Sequence, residues 1–444
     1  MGIHKVDQKS VSYRILWYAI KVWYQFFFYR KIEVSHQERV PQKGAIVFAG
    51  NHQNALMDAL ALLFSAKRTI VFLARADIFK KNFVAEMLYF LRILPVFRPR
   101  DGHSEVKKNQ ETFDKTTEVL EKNMGLAIFP EGTHVDKHSL TTLKKGFARI
   151  VYQTEEGNDF NMDIKIVPVG ILYSNYQDCQ SVLSINYGEP ISLSKYYQLY
   201  QEHPAMAYNK AAEDLAQAIK KYMVHIKDDK YYESIDFLQT NFQKSILGDK
   251  KYKNRIEAGQ EAVSKIVKVQ EDKPSSFEAI HHATSKFLSL STMMTPKQRS
   301  LFIHWNSSEF AVQALLFILL LPVLFWAYAV LFFPVLISKI STIPIQDTQF
   351  KSTVKFVVTL IVFPLFFIVE LLVFQTVFPY LSGFYFLGIY LVSLILAVLS
   401  AAWIRRFFNR CYLFIMKLTH PKKWNQWTVL VSSIKNMLLE NCNK

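Results

Sequence analysis

The 444-residue sequence predicts an α/β fold, a mostly parallel sheet flanked by helices, followed by a helical arm and C-terminal transmembrane helices. Three observations carry this. Between residues 40 and 195 short apolar runs alternate with helical patterns, as in a parallel-sheet layer. Residues 200–300 are polar and helix-rich. Residues 311–337, 356–378 and 383–404 are apolar stretches that contain one charged residue, Glu370, and each exceeds the roughly 20 residues that cross a hydrocarbon core.

In chain order, residues 1–39 come first. Nine aromatics lie between Tyr13 and Tyr29, including Trp17, Trp23 and the run Phe26, Phe27, Phe28. Lys21 interrupts them, Arg14, Arg30 and Lys31 flank them, and no small-residue cleavage site follows, so a signal peptide is not indicated. Aromatic rings at the headgroup level with snorkelling cations describe an interfacial or shallowly inserted helix. In residues 40–200, strands are expected at 45–49, 69–74, 125–129, 164–170 and 182–187, with helices over 54–65 and 107–123. Residues 201–308 read as the helical arm, with breaks at Lys227-Asp228-Asp229-Lys230 and before Pro274. Residues 309–444 read as a membrane domain with two or three transmembrane segments.

Composition narrows the partners. Half of the residues are hydrophobic and 20% are charged, which excludes wholesale disorder. Lys and Arg outnumber Asp and Glu by 53 to 37, and the net charge of +16 favours anionic partners. Eleven Lys or Arg against four acids in residues 305–444 account for +7, close to the bilayer where anionic lipids attract them. The other +9 suits a membrane-facing surface and phosphorylated ligands. Nucleic acid would explain the charge but not the apolar tail. Cys179, Cys411 and Cys442 are far apart and lack CxxC spacing, so neither a disulfide framework nor a metal site is indicated, and no cofactor is expected.

Three segments, each after an expected strand, carry candidate chemistry. In Asn51-His52-Gln53-Asn54-Ala55-Leu56-Met57-Asp58, a histidine suited to proton transfer stands near a carboxylate able to hold its second ring nitrogen. By ~100° per residue the two do not share one helical face, so His52 must sit in the turn before the helix that carries Asp58. Ile93-Leu94-Pro95-Val96-Phe97-Arg98 ends an apolar run in a guanidinium that matches phosphate oxygens. Phe129-Pro130-Glu131-Gly132-Thr133-His134, followed by Lys144-Lys145-Gly146, sets an acid, a permissive glycine and cations beyond a buried strand.

Together, and in this order, the segments resemble the glycerolipid acyltransferase family, membrane enzymes that acylate glycerol 3-phosphate and lysophosphatidate. The family's four blocks are NH with a following Asp, a block of the IPVxR kind, FPEGTR, and a short V-P-V block. Here Asn51-His52 with Asp58, Pro95-Val96-Phe97-Arg98, Phe129 to Thr133 and Val167-Pro168-Val169 stand in their places. The likeness covers residues 40–195. Two departures stand out: five residues rather than four separate His52 from Asp58, and His134 occupies the position of the family's arginine. The longer spacing resembles the branch that acylates glycerol 3-phosphate or dihydroxyacetone phosphate.

The resemblance implies that His52 is general base on the acceptor hydroxyl and Asp58 orients it. Substrate contacts would fall to Arg98, Glu131, Gly132, Thr133, Lys144 and Pro168. The donor would be acyl-CoA or acyl-carrier protein, the acceptor a phosphorylated glycerol or lysophospholipid. Another acceptor such as an aminolipid, or a non-catalytic lipid-binding role, stays open at this stage. A transporter is disfavoured by the single charge in the long spans. His281, His282 and His304 read as surface or interfacial residues.

Such a domain would face the cytoplasm from the cell membrane, and Arg405, Arg406, Arg410, Lys417, Lys422 and Lys423 after the last span point the same way. Two ends inside require an even number of crossings. Residues 356–378 and 383–404 are therefore expected to form a two-crossing hairpin, and 311–337 a re-entrant or single-leaflet element.

Overall fold

The computed structural model describes residues 3, 6–8, 10–97 and 109–442. The chain forms two compact units: Met1–Phe26, Lys31–Tyr176 and Val182–His225 make the first, and Phe27–Arg30, Gln177–Ser181 and Ile226–Lys444 the second.

An eight-stranded sheet organises the first unit. Its strands are β1 Tyr29–Ser35, β2 Ile46–Gly50, β3 Ile70–Arg75, β4 Ile93–Val96, β5 Gly125–Ile128, β6 Lys165–Tyr173, β7 Ser181–Tyr187 and β8 Ile191–Ser192. The order is β1-β7-β6-β2-β5-β3-β4, with β8 on β6. The pairs β2/β5, β2/β6, β3/β4 and β3/β5 are parallel, whereas β7 and β8 run antiparallel to β6. Among the described residues, seven α-helices belong with the sheet: α1 Val11–Val22, α2 Leu56–Ser65, α3 Asn82–Phe90, α4 Asn109–Glu121, α5 Gly146–Gly157, α6 Tyr197–Glu202 and α7 Pro204–Tyr222.

β2 is buried along its whole length, as its continuous Ile-Val-Phe-Ala-Gly run requires of a strand covered on both faces. Val47, Ala49, Leu126 and Ile166 of the strands share one core with Val119, Phe147, Val151, Leu215 and Ile219 of the helices. The register sets Gly50 opposite Val169 and Ala49 opposite Ile128. The loops that leave β2 and β5 therefore emerge side by side at the carboxyl edge of the sheet, where α/β sites form.

Gly170 shows how tightly α7 closes over β6. A Cβ there would lie 1.8 Å from the carbonyl oxygen of Tyr222 and 2.5 Å from its carbon. Only glycine lets the two backbones approach this closely.

The second unit is helical: α8 Tyr232–Asn241, α9 Gln243–Leu247, α10 Arg255–Asp272, α11 Pro274–Leu290, α12 Pro296–Ile303, α13 Ser307–Val330, α14 Phe332–Ile340, α15 Phe350–Val377, α16 Gly383–Thr419 and α17 Pro421–Cys442. Three of them, α13, α15 and α16, are long and apolar enough to cross a membrane. Side chains fix their register. Glu309 pairs with Arg410 at 2.8 Å, Phe317 stacks on Phe407, and the Tyr328 hydroxyl donates to the Ala397 carbonyl at 3.2 Å. Helix α13 thus runs antiparallel to α16, and its end reaches the level of Ala397, about 21 Å short of Gly383 at 1.5 Å per residue. Helices α15 and α16 form an antiparallel pair, with Phe374 against Phe386 and the Tyr390 hydroxyl donating to the Phe363 carbonyl. Within this unit the 177–181 segment is held by Asp178 with Lys297 at 2.7 Å, Arg405 to the Cys179 carbonyl, and Lys355 to the Gln177 carbonyl at 2.6 Å. Burial pushes the Asp178 carboxyl up, but the Lys297 hydrogen bond and the charges of Arg405, Lys297 and Lys355 outweigh it and hold the group below its ordinary value.

Several elements and unit limits fall elsewhere than the expected segments. The sheet starts at Tyr29, inside the stretch 1–39 read as an interfacial helix, because Tyr-Arg-Lys-Ile-Glu-Val-Ser is an edge strand placed directly after the aromatic run. The helix there runs over Val11–Val22 as an α-helix and on over Trp23–Phe28 as a π-helix, with Val11, Ile15, Tyr18 and Val22 exposed. Helix α7, assigned to the arm, packs on β6, so the second unit begins at Ile226 rather than 201. The stretch 309–444, expected as a membrane domain, includes a last described helix with a buried face. Trp424, Trp427, Val431, Ile434 and Leu438 of α17 are buried, Trp427 Nε1 donates to the Leu290 carbonyl at 3.2 Å, and Lys265 reaches the Cys442 carbonyl at 3.0 Å. The last helix therefore closes the bundle formed by the arm.

Gly170→Ala forces β6 and the end of α7 apart. A loss of about 2 kcal/mol or more is expected. That lowers the thermal midpoint of the first unit by roughly 4–8 °C, measurable by fluorescence-monitored melting of the full chain.

Candidate active site

The turn between β2 and α2 holds the first group of candidate residues. Asn51 leaves the sheet but stays bonded to it: its side-chain amide donates to the Ile171 carbonyl at 3.0 Å and accepts from the Ile171 N–H at 2.7 Å. Asp58, in the first turn of α2, is fully buried. Its Oδ2 accepts three hydrogen bonds, from His52 Nδ1 at 2.8 Å, Gln53 N at 2.8 Å and Asn54 N at 2.7 Å, and its Oδ1 accepts the Tyr173 hydroxyl at 2.7 Å. The carboxylate thus supplies the cap for the turn that precedes its own helix. A negative group also suits the positive end of α2.

The fifth residue between His52 and Asp58 is absorbed at Ala55, which adopts φ 43°, ψ −123° as the residue before α2. Positive φ at a residue with a Cβ is costly, and functional sites are where such geometry persists. The bent turn sets His52 Nδ1 against Asp58 despite the longer spacing.

The loop after β5 grips His52 from the other side. Glu131 Oε1 accepts the His52 backbone N–H at 2.8 Å, and the His52 carbonyl accepts the Val135 N–H at 3.1 Å. Glu131 Oε2 accepts both the N–H (3.0 Å) and the hydroxyl (2.6 Å) of Thr141. Gln53 Nε2 donates to the Lys137 carbonyl at 3.0 Å. The imidazole stacks on Phe129, with centroids 4.4 Å apart and planes 15° apart, and meets the edge of His134 at 5.7 Å. Gly132 turns at φ 71°, and a side chain there would press on Lys144, whose Cγ lies 3.3 Å from the Cβ position. The Lys144 N–H donates to the Pro130 carbonyl at 2.6 Å.

These contacts define the chemistry of the imidazole. An ionised carboxylate only accepts, so the proton of neutral His52 resides on Nδ1 and the lone pair on Nε2. Among the described residues Nε2 has no hydrogen-bond partner, and the side chain is 17% exposed. The arrangement suits removal of a proton from an incoming hydroxyl, with the imidazolium stabilised by Asp58.

The candidate residues are distributed unevenly. His52, Asp58, Glu131, Gly132 and Lys144 converge on one edge of the sheet. Thr133 is exposed in the same loop. Pro168 is buried within β6, paired in register with Ala49, and its ring lies against Gly188. Arg98 lies outside the described residues. Thr141 and Tyr173 were not singled out by sequence: each is distant from its partner along the chain, and neither belongs to a block. Among the described residues there is no cluster of His, Cys, Asp and Glu able to hold a metal ion.

Comparisons with known proteins include one family match that lies within this unit. Residues 31–172 match the family model described as Acyltransferase. The chain is 30% identical over 118 residues to glycerol-3-phosphate O-acyltransferase 2 of Saccharomyces cerevisiae, covering 26% of this chain and 16% of that protein. It is 27% identical over 124 residues to the 1-acyl-sn-glycerol-3-phosphate acyltransferase of Borreliella burgdorferi, covering 28% and 47% respectively. The chain thus spans less than half the length of these curated relatives. The crystal structure of the 1-acyl-sn-glycerophosphate (LPA) acyltransferase PlsC from Thermotoga maritima aligns with 49% of this chain and 85% of its own, at 16% identity and a TM-score of 0.33. Residues 31–172 form an acyltransferase domain.

Glu131→Gln provides a direct test of the brace. One end of the amide would set an NH2 against N–H donors that now meet a carboxylate oxygen. A buried mismatch of this kind costs about 1–3 kcal/mol. The expected outcome is a lower thermal midpoint together with a fall in turnover, read by melting and by acyl-transfer rate on the same preparation.

Proposed function

We propose that the protein transfers a fatty acyl group from acyl-CoA or acyl-carrier protein to a hydroxyl of glycerol 3-phosphate, dihydroxyacetone phosphate or 1-acylglycerol 3-phosphate, as a step of phospholipid synthesis. The observation that carries this reading is the His52 Nδ1 to Asp58 Oδ2 bond of 2.8 Å beside the Glu131-Gly132-Thr133 turn, with Nε2 left free. The two curated relatives, by name, act on glycerol 3-phosphate and on 1-acyl-glycerol 3-phosphate.

The steps follow from the geometry. His52 Nε2 takes the acceptor's hydroxyl proton as that oxygen bonds to the thioester carbonyl carbon. The C–S bond then breaks, Nε2 gives its proton to the leaving sulfur, and the free thiol and the ester are released with His52 neutral again. The acceptor supplies the nucleophile, so no acyl-enzyme is required. Asp58 balances the transient imidazolium charge. Both oxygens of Glu131 are occupied by His52 and Thr141, so its part is to shape the acceptor site rather than to bind phosphate. Lys144, which covers Gly132, and Arg98 are the proposed phosphate contacts; Thr133 borders the acceptor site and Pro168 shapes the acyl-chain side.

We also assign the catalytic unit to the cytoplasmic face of the cell membrane, with α15 and α16 as the two crossings. Two features support the re-entrant reading of the segment before them. Helix α13 ends level with Ala397, and the chain then passes through α14, whose Phe333 stacks on Phe366. It returns to Phe350, about 24 Å back along α15 at 1.5 Å per residue.

With purified full-length protein in lipid–detergent micelles, labelled acyl-CoA and each of the three acceptors, transfer to at least one is expected. His52→Ala should lower the rate by about 10²–10⁴. Undiminished transfer by that variant would overturn the mechanism. For topology, single cysteines at Lys339 and Lys351, in a background free of the native three, should label from the side of the catalytic unit, and one at Tyr380 from the opposite side. Labelling of Lys339→Cys from the Tyr380 side would show that α13 crosses.

A further inference from the structure

We propose that Tyr173 is a positioning residue of the acyltransferase site, acting on His52 through Asp58. This rests on the reading that His52 is the general base. Tyr173 ends β6, one residue beyond the stretch matched by the family model.

The argument starts from how the two carboxylate oxygens are used. Three N–H donors converge on Oδ2, and all three come from residues 52–54 of the turn. They hold Oδ2 in place but leave the carboxylate free to swing about it, since the terminal torsion of an aspartate is broad. Oδ1 accepts one hydrogen bond, 2.7 Å from the Tyr173 hydroxyl. That bond fixes the second corner of the carboxylate, and with it the plane in which Oδ2 meets His52 Nδ1.

The carrier of the hydroxyl is rigid. Tyr173 is 4% exposed and paired in register with Leu183 of β7. Two residues earlier on the same strand, Ile171 makes both backbone bonds to the Asn51 side chain. The strand that orients Asp58 is therefore the one that anchors the start of the His52 turn, so base and orienting acid share one reference. A partner of this kind, beyond the groups that react, sets ring orientation and basicity, as the partners of metal-bound histidines do. The fold of the turn does not need it, because the three N–H bonds to Oδ2 already complete the cap.

The test uses the full-length protein in lipid–detergent micelles, palmitoyl-CoA as donor and the acceptor that wild type turns over. Tyr173→Phe keeps the ring and removes the hydroxyl. Its kcat should fall about tenfold while KM for donor and acceptor stays within about twofold, with the thermal midpoint near wild type. In an Asp58→Asn background the same change should cost less than about twofold, because the two substitutions remove one interaction. An unchanged kcat, or an equal loss in both backgrounds, overturns the proposal. Should Tyr173→Phe fold poorly, 3-fluorotyrosine at 173 keeps shape and hydroxyl but loses its proton at lower pH. Its kcat should then decline on the alkaline side at lower pH than wild type, and coincident alkaline limbs overturn the proposal. His52→Ala, assayed in parallel, separates the two readings. If it retains activity, the general-base mechanism fails; if it is inactive while Tyr173→Phe is unimpaired, only the role of Tyr173 fails.

Discussion

The site depends on one buried carboxylate. Asp58 has no solvent to stabilise it, and a charge removed from water must find donors inside the protein. It finds four, and each fixes a different piece of structure. The Gln53 and Asn54 amides set the path of the turn. The His52 ring acquires its tautomer, and the Tyr173 hydroxyl ties the end of β6 to the start of α2. A side chain of four heavy atoms thereby joins a loop, a helix terminus and a strand that are otherwise connected only through the sheet.

Much of this was legible in the sequence, for local reasons. The strands at 45–49, 69–74, 125–129, 164–170 and 182–187 lie within a few residues of the observed ones, because buried strands, most of them parallel here, are short apolar-rich runs with polar or turn residues on either side. The NH turn and the Phe-Pro-Glu-Gly-Thr loop were visible for the same reason, each following a strand directly. What escaped depends on tertiary pairing. β1 is an edge strand that sits directly behind aromatics that read as a membrane signal. β4 is four residues long and contains Pro95. Thr141 and Tyr173 meet their partners across 10 and 115 residues. No local pattern marks a hydroxyl that will close on a distant carboxylate.

The limits of the second unit escaped for a related reason. Polar helices that fold on a sheet and polar helices that fold on one another have the same periodicity. Helix α7 carries Ala207, Ala211, Leu215 and Ile219 at helical spacing, a pattern that states only that one face is covered. Helix α17 carries Trp424, Trp427, Val431, Ile434 and Leu438 in the same way. The first covers the sheet and the second covers α11, and only the folded chain distinguishes them. The three long apolar helices needed no such information, since length and composition alone mark them.

Internal satisfaction of the acids also determines what the site offers a ligand. Asp58 and Glu131 both hydrogen-bond His52, and every oxygen of both is engaged by the protein's own N–H and O–H groups. They are turned inward, buried, and directed at backbone and side-chain donors of the fold. What lies toward solvent in the same loops is of the opposite character: Lys144 and Lys145 are exposed, Gly132 presents backbone without a side chain, and His134 stands at the edge of the His52 ring. A site that keeps its negative charge within the fold and its positive charge at the rim discriminates by sign before any contact is made. Under the proposed function, an anionic head would be drawn to the rim and an alcohol attached to it would be the group that reaches Nε2. The +16 balance of the whole chain, read at first as a general preference for anions, therefore has a local counterpart built from the direction in which two carboxylates face.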